Sequence, residues 1–263
     1  MTGAGLHGPN ATDGAPAPQR ISVATLNCRN TADRWKERTP LLVRQLVDLR
    51  PEVIGLQELR RFPSQGRTIG KRAWARGLLF DHDRANKTGI YALWEGIAVL
   101  SRLPVVDRAK LELGGEHRVA QRVTVVVGGG LLDFYNTHLA SGDEAVRTAQ
   151  ARRLLDWMAE RSSLPQVLVG DFNARPGAPS IQLLAERLRS AHMAVHGREP
   201  DKTVPTPLRR GASGRGSVLD YVFVNSLVEV HDARRSFEEA DPHDEHLVAS
   251  DHYGLAASVS LRG

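Results

Sequence analysis

Eight short runs are rich in β-branched and apolar residues, at 21–26, 53–56, 97–100, 119–127, 131–136, 166–169, 219–224 and 255–261, and many of them are apolar at nearly every position. A strand with one wet face alternates apolar and polar residues. A strand without that alternation is covered on both faces, by helices or by a second sheet. Three helical patterns supply such cover. Thr39 as a cap and Pro40 as the first helical residue open a stripe through Leu41, Leu42, Gln45, Leu46 and Leu49 that Pro51 ends. Ser141 and Glu144 read as a capping box ahead of Val146, Ala149, Leu154 and Met158. Pro179 opens the third stripe, through Ile181, Leu183, Leu184 and Leu188. Strand, helix and strand are followed by several strands without helices and then by helix and strand again. That order fits neither strict parallel alternation nor an all-β chain. The expected fold class is α/β, with two packed mixed β-sheets flanked by helices.

The chain has 263 residues, 41% hydrophobic and 25% charged, which excludes collagen-like, coiled-coil and wholly disordered classes. No run approaches the roughly 18 apolar residues of a membrane-spanning helix, so no stable membrane insertion is expected. Residues 1–19 lack the charged start and apolar centre of a secretory signal and are too poor in large apolar residues to fold, so they read as a disordered tail. Residues 20–263 contain no repeat and no linker and read as one domain, expected to be monomeric. Cys28 is the only cysteine, so no disulfide can form within the chain, and a cytoplasmic location is expected.

Charge is distributed unevenly. Between Glu58 and Lys87, eight basic residues stand against three acids, whereas between Glu229 and Asp251 eight acids stand against two arginines. A basic surface suits an anionic partner such as nucleic acid, a phospholipid headgroup or a phosphorylated metabolite. Two long stretches without regular pattern, 58–95 and 194–218, are expected to be functional loops. Trp74, surrounded by basic residues, is a candidate for stacking on a base, while Trp157 reads as packing.

Polar and acidic residues end several of the apolar runs: Asn27 after VATL, Glu58 after IGLQ, Asp171 and Asn173 after VLVG, Asp220 after SVL, and Asp251 and His252 after LVAS. Strand ends hold side chains rigidly at the lip of a sheet, where oxygen donors from several strands can converge on one hard cation. Carboxylates and amides without cysteine favour Mg2+, with Mn2+ or Ca2+ as alternatives, over zinc. Taken singly, each of these residues also has a purely structural reading, as a turn, a surface acid or a cap.

The ordered strings VATLNCR, PEVIGLQEL, EGIAVLSRLPV, YNTHLASG, VLVGDFNARP, LDYVFV and SDHYGLAASV resemble the motifs of the endonuclease/exonuclease/phosphatase superfamily, the deoxyribonuclease I-like fold. The resemblance spans nearly all of residues 21–261 and implies a four-layer α/β sandwich. It implies that Glu58, with Asn27 and Asp251 nearby, serves the metal, and that Asp171 and Asn173 face the scissile phosphate. Asp220 would pair with His252. His138 would be a second phosphate-contacting histidine with Glu95 as its carboxylate partner, and Arg118 would contact phosphate. Arg209 and Arg210, on a glycine-rich loop, are further phosphate-binding candidates. His138 stands where relatives specialised for abasic-site repair carry a tyrosine, which argues against that chemistry.

Hydrolysis of a phosphodiester needs a cation and donors where negative charge develops, and a base that activates water. The function expected is a divalent-metal-dependent phosphodiesterase acting on nucleic acid. The alternative is a phosphohydrolase for phospholipid headgroups or inositol phosphates, since the same residues serve any phosphate ester. A binding module without turnover is disfavoured by the completeness of the polar set.

Overall fold

The structure, a computed structural model, describes residues 18–89, 94–209 and 215–262. Most of the expected N-terminal tail, and Arg210, lie outside them. The first half runs β1 (Arg20–Asn27), α1 (Trp35–Leu49), β2 (Val53–Arg60), α2 (Gln65–Trp74), β3 (Asp81–Asn86), β4 (Glu95–Ser101) and β5 (Val105–Gly114). It continues with β6 (Arg118–Val127), β7 (Gly130–His138), α3 (Glu144–Ala159), β8 (Gln166–Asp171), α4 (Pro179–Ala185), β9 (Arg189–Ser190) and α5 (Ala191–His196). The chain closes with β10 (Asp220–Val224), β11 (Val228–Ser236), β12 (Ala240–Asp241), β13 (Asp244–Val248) and β14 (Gly254–Leu261).

Two six-stranded sheets form, ordered β11-β14-β1-β2-β4-β3 and β5-β6-β7-β8-β10-β9, with β12 and β13 as a separate hairpin. Each large sheet is mixed. β1 and β2 pair in parallel through the α1 crossover, β7 and β8 in parallel through α3, and the other pairs are antiparallel. The lack of alternation along the strands has its cause here. In β1, Val23 points into the core between the sheets while Ala24 and Leu26 pack with Leu42 and Leu46 of α1. In β8, Val167 and Val169 join the inter-sheet core while Leu168 meets Leu154 of α3 and Leu184 of α4. Both faces of the central strands of each sheet are buried, giving four layers.

Polar groups also cross between the sheets. Gln57 donates from Nε2 to Asn136 Oδ1 at 2.7 Å, and Asn136 donates from Nδ2 to the carbonyls of Ala98 (3.0 Å) and Leu56 (3.2 Å). All these groups are buried, and pairing the two Asn136 polar atoms and Gln57 Nε2 removes most of the penalty of burying them. Gly55 makes room for this contact, since a Cβ there would meet Val169 and Asn136.

The helix boundaries differ from the sequence patterns in three places. α1 begins at Trp35, with Pro40 inside it and Thr39 donating back to the Trp35 carbonyl at 2.7 Å instead of capping. The earlier start is held by Arg38, fully buried, whose guanidinium donates to the carbonyls of Ala32, Asp33 and Ala249. α3 is capped by Asp143, whose side chain accepts from Ala145 N at 2.8 Å, while Glu144 accepts from Ser180 N at 2.8 Å and so ties α3 to α4. The capping box therefore does not form, and α4 ends at Ala185, short of Leu188. The stretch 58–95 is not irregular: it contains α2 and β3. Edge strand β5 is largely exposed, which is why its charged composition hid it.

Gly170, beside Asp171 in β8, has φ +152, and a Cβ there would collide with the Thr137 carbonyl of β7. Gly170→Ala is expected to cost at least about 2 kcal/mol of stability through backbone strain and displacement of a central strand. Urea denaturation of the two proteins measures it, and an unchanged midpoint would contradict the close approach.

Candidate active site

Strand register places three chemical side chains in a row. His138 at the end of β7 is the Cα partner of Asp171 at the end of β8, and Asp171 is the partner of Asp220 at the start of β10. From the other sheet, Asn27 ends β1, and Glu58 lies where β2 shifts register against β4 between Leu56 and Leu59. Glu58 has φ +50, a left-handed conformation that non-glycine residues seldom adopt, and such a bulge re-aims a side chain out of strand alternation. Asn173, with φ +49, is the second such residue at the site.

One amide joins the two sheets. Asn27 Nδ2 donates to Glu58 Oε1 at 3.0 Å and to Asp171 Oδ2 at 2.9 Å, while Asn27 Oδ1 accepts the Arg29 N–H at 2.9 Å. Asp171 Oδ1 accepts the Asn173 N–H at 2.9 Å. Burial is the main cause that raises the Glu58 carboxyl above its ordinary value. Burial and then the charge of Asp220 push Asp171 up to about 7.

The two histidines are set oppositely. His138 Nδ1 lies 2.9 Å from Arg118 Nη1, which can only donate, and Nε2 lies 3.1 Å from Asn173 Nδ2. Burial, then the charges of Arg118 and Lys87, hold His138 neutral. His252 Nδ1 donates to Asp220 Oδ2 at 2.8 Å, and its Nε2 is 3.9 Å from Asp171 Oδ2. Burial opposes the charge on His252, but Asp220 and Asp171 outweigh it and raise the imidazole to about 10.

Asn27, Glu58, His138, Asp171, Asn173, Asp220 and His252 thus converge as expected from the sequence, with Arg118 against His138. One residue is placed differently. Glu95 does not touch His138: Arg118 lies between them, and Glu95 Oε1 is 2.6 Å from Lys87 Nζ and 3.8 Å from Arg118 Nη1. Asp251, expected near the metal, lies close enough to act on the charge of both Glu58 and His252, and it also faces Arg209 Nε at 2.9 Å and Arg29 Nη1 at 3.2 Å. Its carboxylate is occupied by guanidinium groups, so Arg209 sits beside the site through Asp251.

Three further residues border the site without having been read as part of it. Arg29 follows Asn27 by two positions, which was the available signal. Lys87 was visible only as one of many basic residues. Glu116 anchors Arg118 at 2.9 Å and accepts from the N–H groups of Ser141 and Gly142. Burial works against its charge, but those donors hold its carboxyl down at about 2. Cys28 is buried and its thiol is pushed up to about 12, as suits a packing residue. The acidic run at 241–246 forms the hairpin of β12 and β13, with Asp244 paired to Arg34 at 2.5 Å.

Two groups of ligand atoms lie within 4.8 Å of one another: Glu58, His138 and Asp171, and Asp171, Asp220 and His252. His252 Nδ1 is committed to Asp220 and His138 Nδ1 to Arg118, which leaves the carboxylate oxygens of Glu58 and Asp171 and the Nε2 atoms of the two imidazoles facing the shared space. Buried carboxyls pushed toward neutrality are groups whose charge a hard divalent cation would restore, and the donor set fits such an ion.

Residues 24–252 match the family described as Endonuclease/Exonuclease/phosphatase family. Nocturnin of Xenopus laevis is 27% identical over 173 residues, 57% of this chain and 42% of that protein, so the match spans less than half of that relative. D. rerio TDP2, solved with a single-strand DNA product, superposes with TM-score 0.75 at 16% identity, over 92% of this chain and 99% of that one. A Bacteroides thetaiotaomicron mannosyl-6-phosphatase superposes with TM-score 0.75 at 19% identity, over 92% of this chain and all of that one. At these identities the structural likeness speaks for the fold, which is the deoxyribonuclease I-like one. With a family match across most of its length, the chain belongs to the endonuclease/exonuclease/phosphatase family.

Proposed function

We propose that the protein is a divalent-metal-dependent phosphodiesterase whose substrate is nucleic acid. The observation that carries this reading is the convergence of Asn27, Glu58, His138, Asp171, Asp220 and His252 from both sheets on one buried polar point, with His252 held by Asp220 and its Nε2 turned toward Asp171. Asp171, buried and raised to about 7, is placed to orient an attacking water and accept its proton. His252, kept cationic by Asp220, is placed to donate a hydrogen bond from Nε2 to a phosphoryl oxygen as negative charge grows. Asn173 and Arg118 provide further donors, and Asn27 holds Glu58 and Asp171 in register. A divalent cation held by Glu58 would supply the positive charge that neutralises the phosphoryl oxygens. The basic stretch between Glu58 and Lys87 supports a polyanionic substrate over a small ester.

Asp171→Ala and His252→Ala are each expected to lower turnover at least about a hundredfold with folding intact, the scale of a lost acid/base or oxyanion contact. Assays across DNA, RNA, sphingomyelin and inositol phosphates, with Mg2+ and with EDTA, identify the substrate. Near wild-type turnover in either variant on the best substrate would refute the assignment. Glu58→Gln removes a charged oxygen donor and should raise the Mg2+ concentration needed for half-maximal rate. Full activity in EDTA, or an unchanged Mg2+ titration, would remove Glu58 from that role.

The Asp220–His252 pair also has a pH signature. His252 is raised on folding, so its contribution to stability is complete below its unfolded value near 6.5 and fades as pH rises through about 10. Asp220→Asn should bring the imidazole titration, followed by NMR of the metal-free protein, down by more than one pH unit. The stability gap between wild type and variant should close above pH 10.

A further inference from the structure

The segment from Arg60 to Trp94 concentrates two features that the chemistry at Asp171 does not use. One is exposed aromatic surface: Phe62, Trp74 and Trp94 are 61%, 64% and 63% exposed, while Tyr135, Phe134, Phe172, Tyr221 and Phe223 are buried. The other is unpaired positive charge. Arg34, Arg44, Arg102, Arg118, Arg147 and Arg161 each hold a carboxylate within 3.3 Å. Arg67, Lys71 and Arg72 of α2 have no carboxylate partner among the described residues, and α2 contains no acid.

α2 explains this arrangement. Its inward face, Gln65, Gly66, Ile69 and Ala73, is buried against β2 and β3. Its outward face presents Arg67, Lys71 and Trp74, one above the other at helical spacing, with Arg72 beside them. Between them Gly70 leaves open space, since a Cβ there would meet nothing within 4 Å. The upper end of this face is joined to the active site by short covalent paths. Arg61 is three residues beyond Glu58, and its N–H donates to the Trp94 carbonyl at 3.2 Å, which sets Trp94 beside Arg61 and Phe62. Glu95, next in sequence, reaches Lys87 and Arg118 at the site. The Arg61 guanidinium lies 4.9 Å from the centre of the Phe62 ring, adding a cation to the aromatic edge.

We propose that Trp94 and Phe62, followed by Arg67, Lys71, Arg72 and Trp74 of α2, form a track for a single nucleic-acid strand leaving the active site. This rests on the nucleic-acid reading given above and names the surface that would make the substrate a polymer. Phosphates pair with the unpartnered cations while bases stack on the aromatic rings, the combination that binds single strands without reading sequence. A lipid surface fits less well. An interfacial helix must turn a continuous apolar face outward, and the apolar face of α2 is packed inward. The aromatics on the outside are separated by basic residues along a helix about 15 Å long.

The test is fluorescence anisotropy of labelled single strands of four and sixteen nucleotides with the full chain in EDTA, titrated at several salt concentrations, beside hydrolysis of a small chromogenic phosphodiester with Mg2+. The Arg67→Ala/Lys71→Ala/Arg72→Ala variant should reduce the salt slope for the longer strand by about 2, near 0.7 for each lost phosphate contact. The Phe62→Ala/Trp94→Ala variant should weaken binding of both strands at least about fivefold while leaving the slope unchanged, because stacking releases no counterions. Both variants should hydrolyse the small phosphodiester at the wild-type rate. A wild-type slope in the triple variant, with the strand still bound and cleaved, would overturn the track and leave the substrate reading standing. If the same three residues instead govern binding to phosphatidylserine vesicles, the track is a membrane surface and the inference fails. If the small ester is hydrolysed but no strand is bound or cleaved, the nucleic-acid reading fails and the track with it.

Discussion

The contact on which the rest of the molecule depends is the face-to-face packing of its two six-stranded sheets, tied at the active-site end by buried amides. Gln57 and Asn136 pair across the gap, and Asn27 reaches from β1 to Asp171 of β8. These bonds connect groups far apart in the chain, so they form only when both sheets are complete and in register. The polar site is therefore a product of the whole sandwich. Glu58 on one sheet meets Asp171 on the other only because the apolar residues between them, from Val23 and Val53 to Val167 and Val169, hold the sheets together.

Electrostatics at that junction follows from the same packing. Burial disfavours charge on Glu58, Asp171 and His138, and the residues around each decide which of them yields. His252 alone is driven firmly to the charged form, because it lies between Asp220 and Asp171. A charged imidazole thereby stands beside carboxyls that burial pushes toward neutrality, and a cation bound there would restore their charge. Around this centre Arg118 is braced by Glu116, and Arg29 and Arg209 are braced by Asp251. The arginines nearest the site are held in place by carboxylates, whereas those of α2 are not.

Much of this was legible in the residues. All eight apolar runs are strands, and the lack of alternation correctly implied sheets covered on both sides. What was misread has local causes. Pro40 looks like a first helical residue, but the buried hydrogen bonds of Arg38 stabilise an earlier start, and a tertiary contact outweighed local preference. α2 was hidden because only its inward side is apolar and its Arg-rich outer face resembles a loop. β5 and β11 carry charged residues because they border the sheets, where exposed positions tolerate them.

The sequence by itself determined which side chains end the strands, because hydrophobic runs stop where the sheet meets solvent and Asn27, Asp171 and Asp220 follow directly. It also determined the family, through the order of those strings. Only the tertiary structure decided which groups touch. It interposed Arg118 between Glu95 and His138, turned Asp251 toward two arginines, and favoured the neutral form of His138 and the charged form of His252. Those outcomes depend on angstrom-scale distances and on burial across the two sheets, and linear order along a chain carries neither.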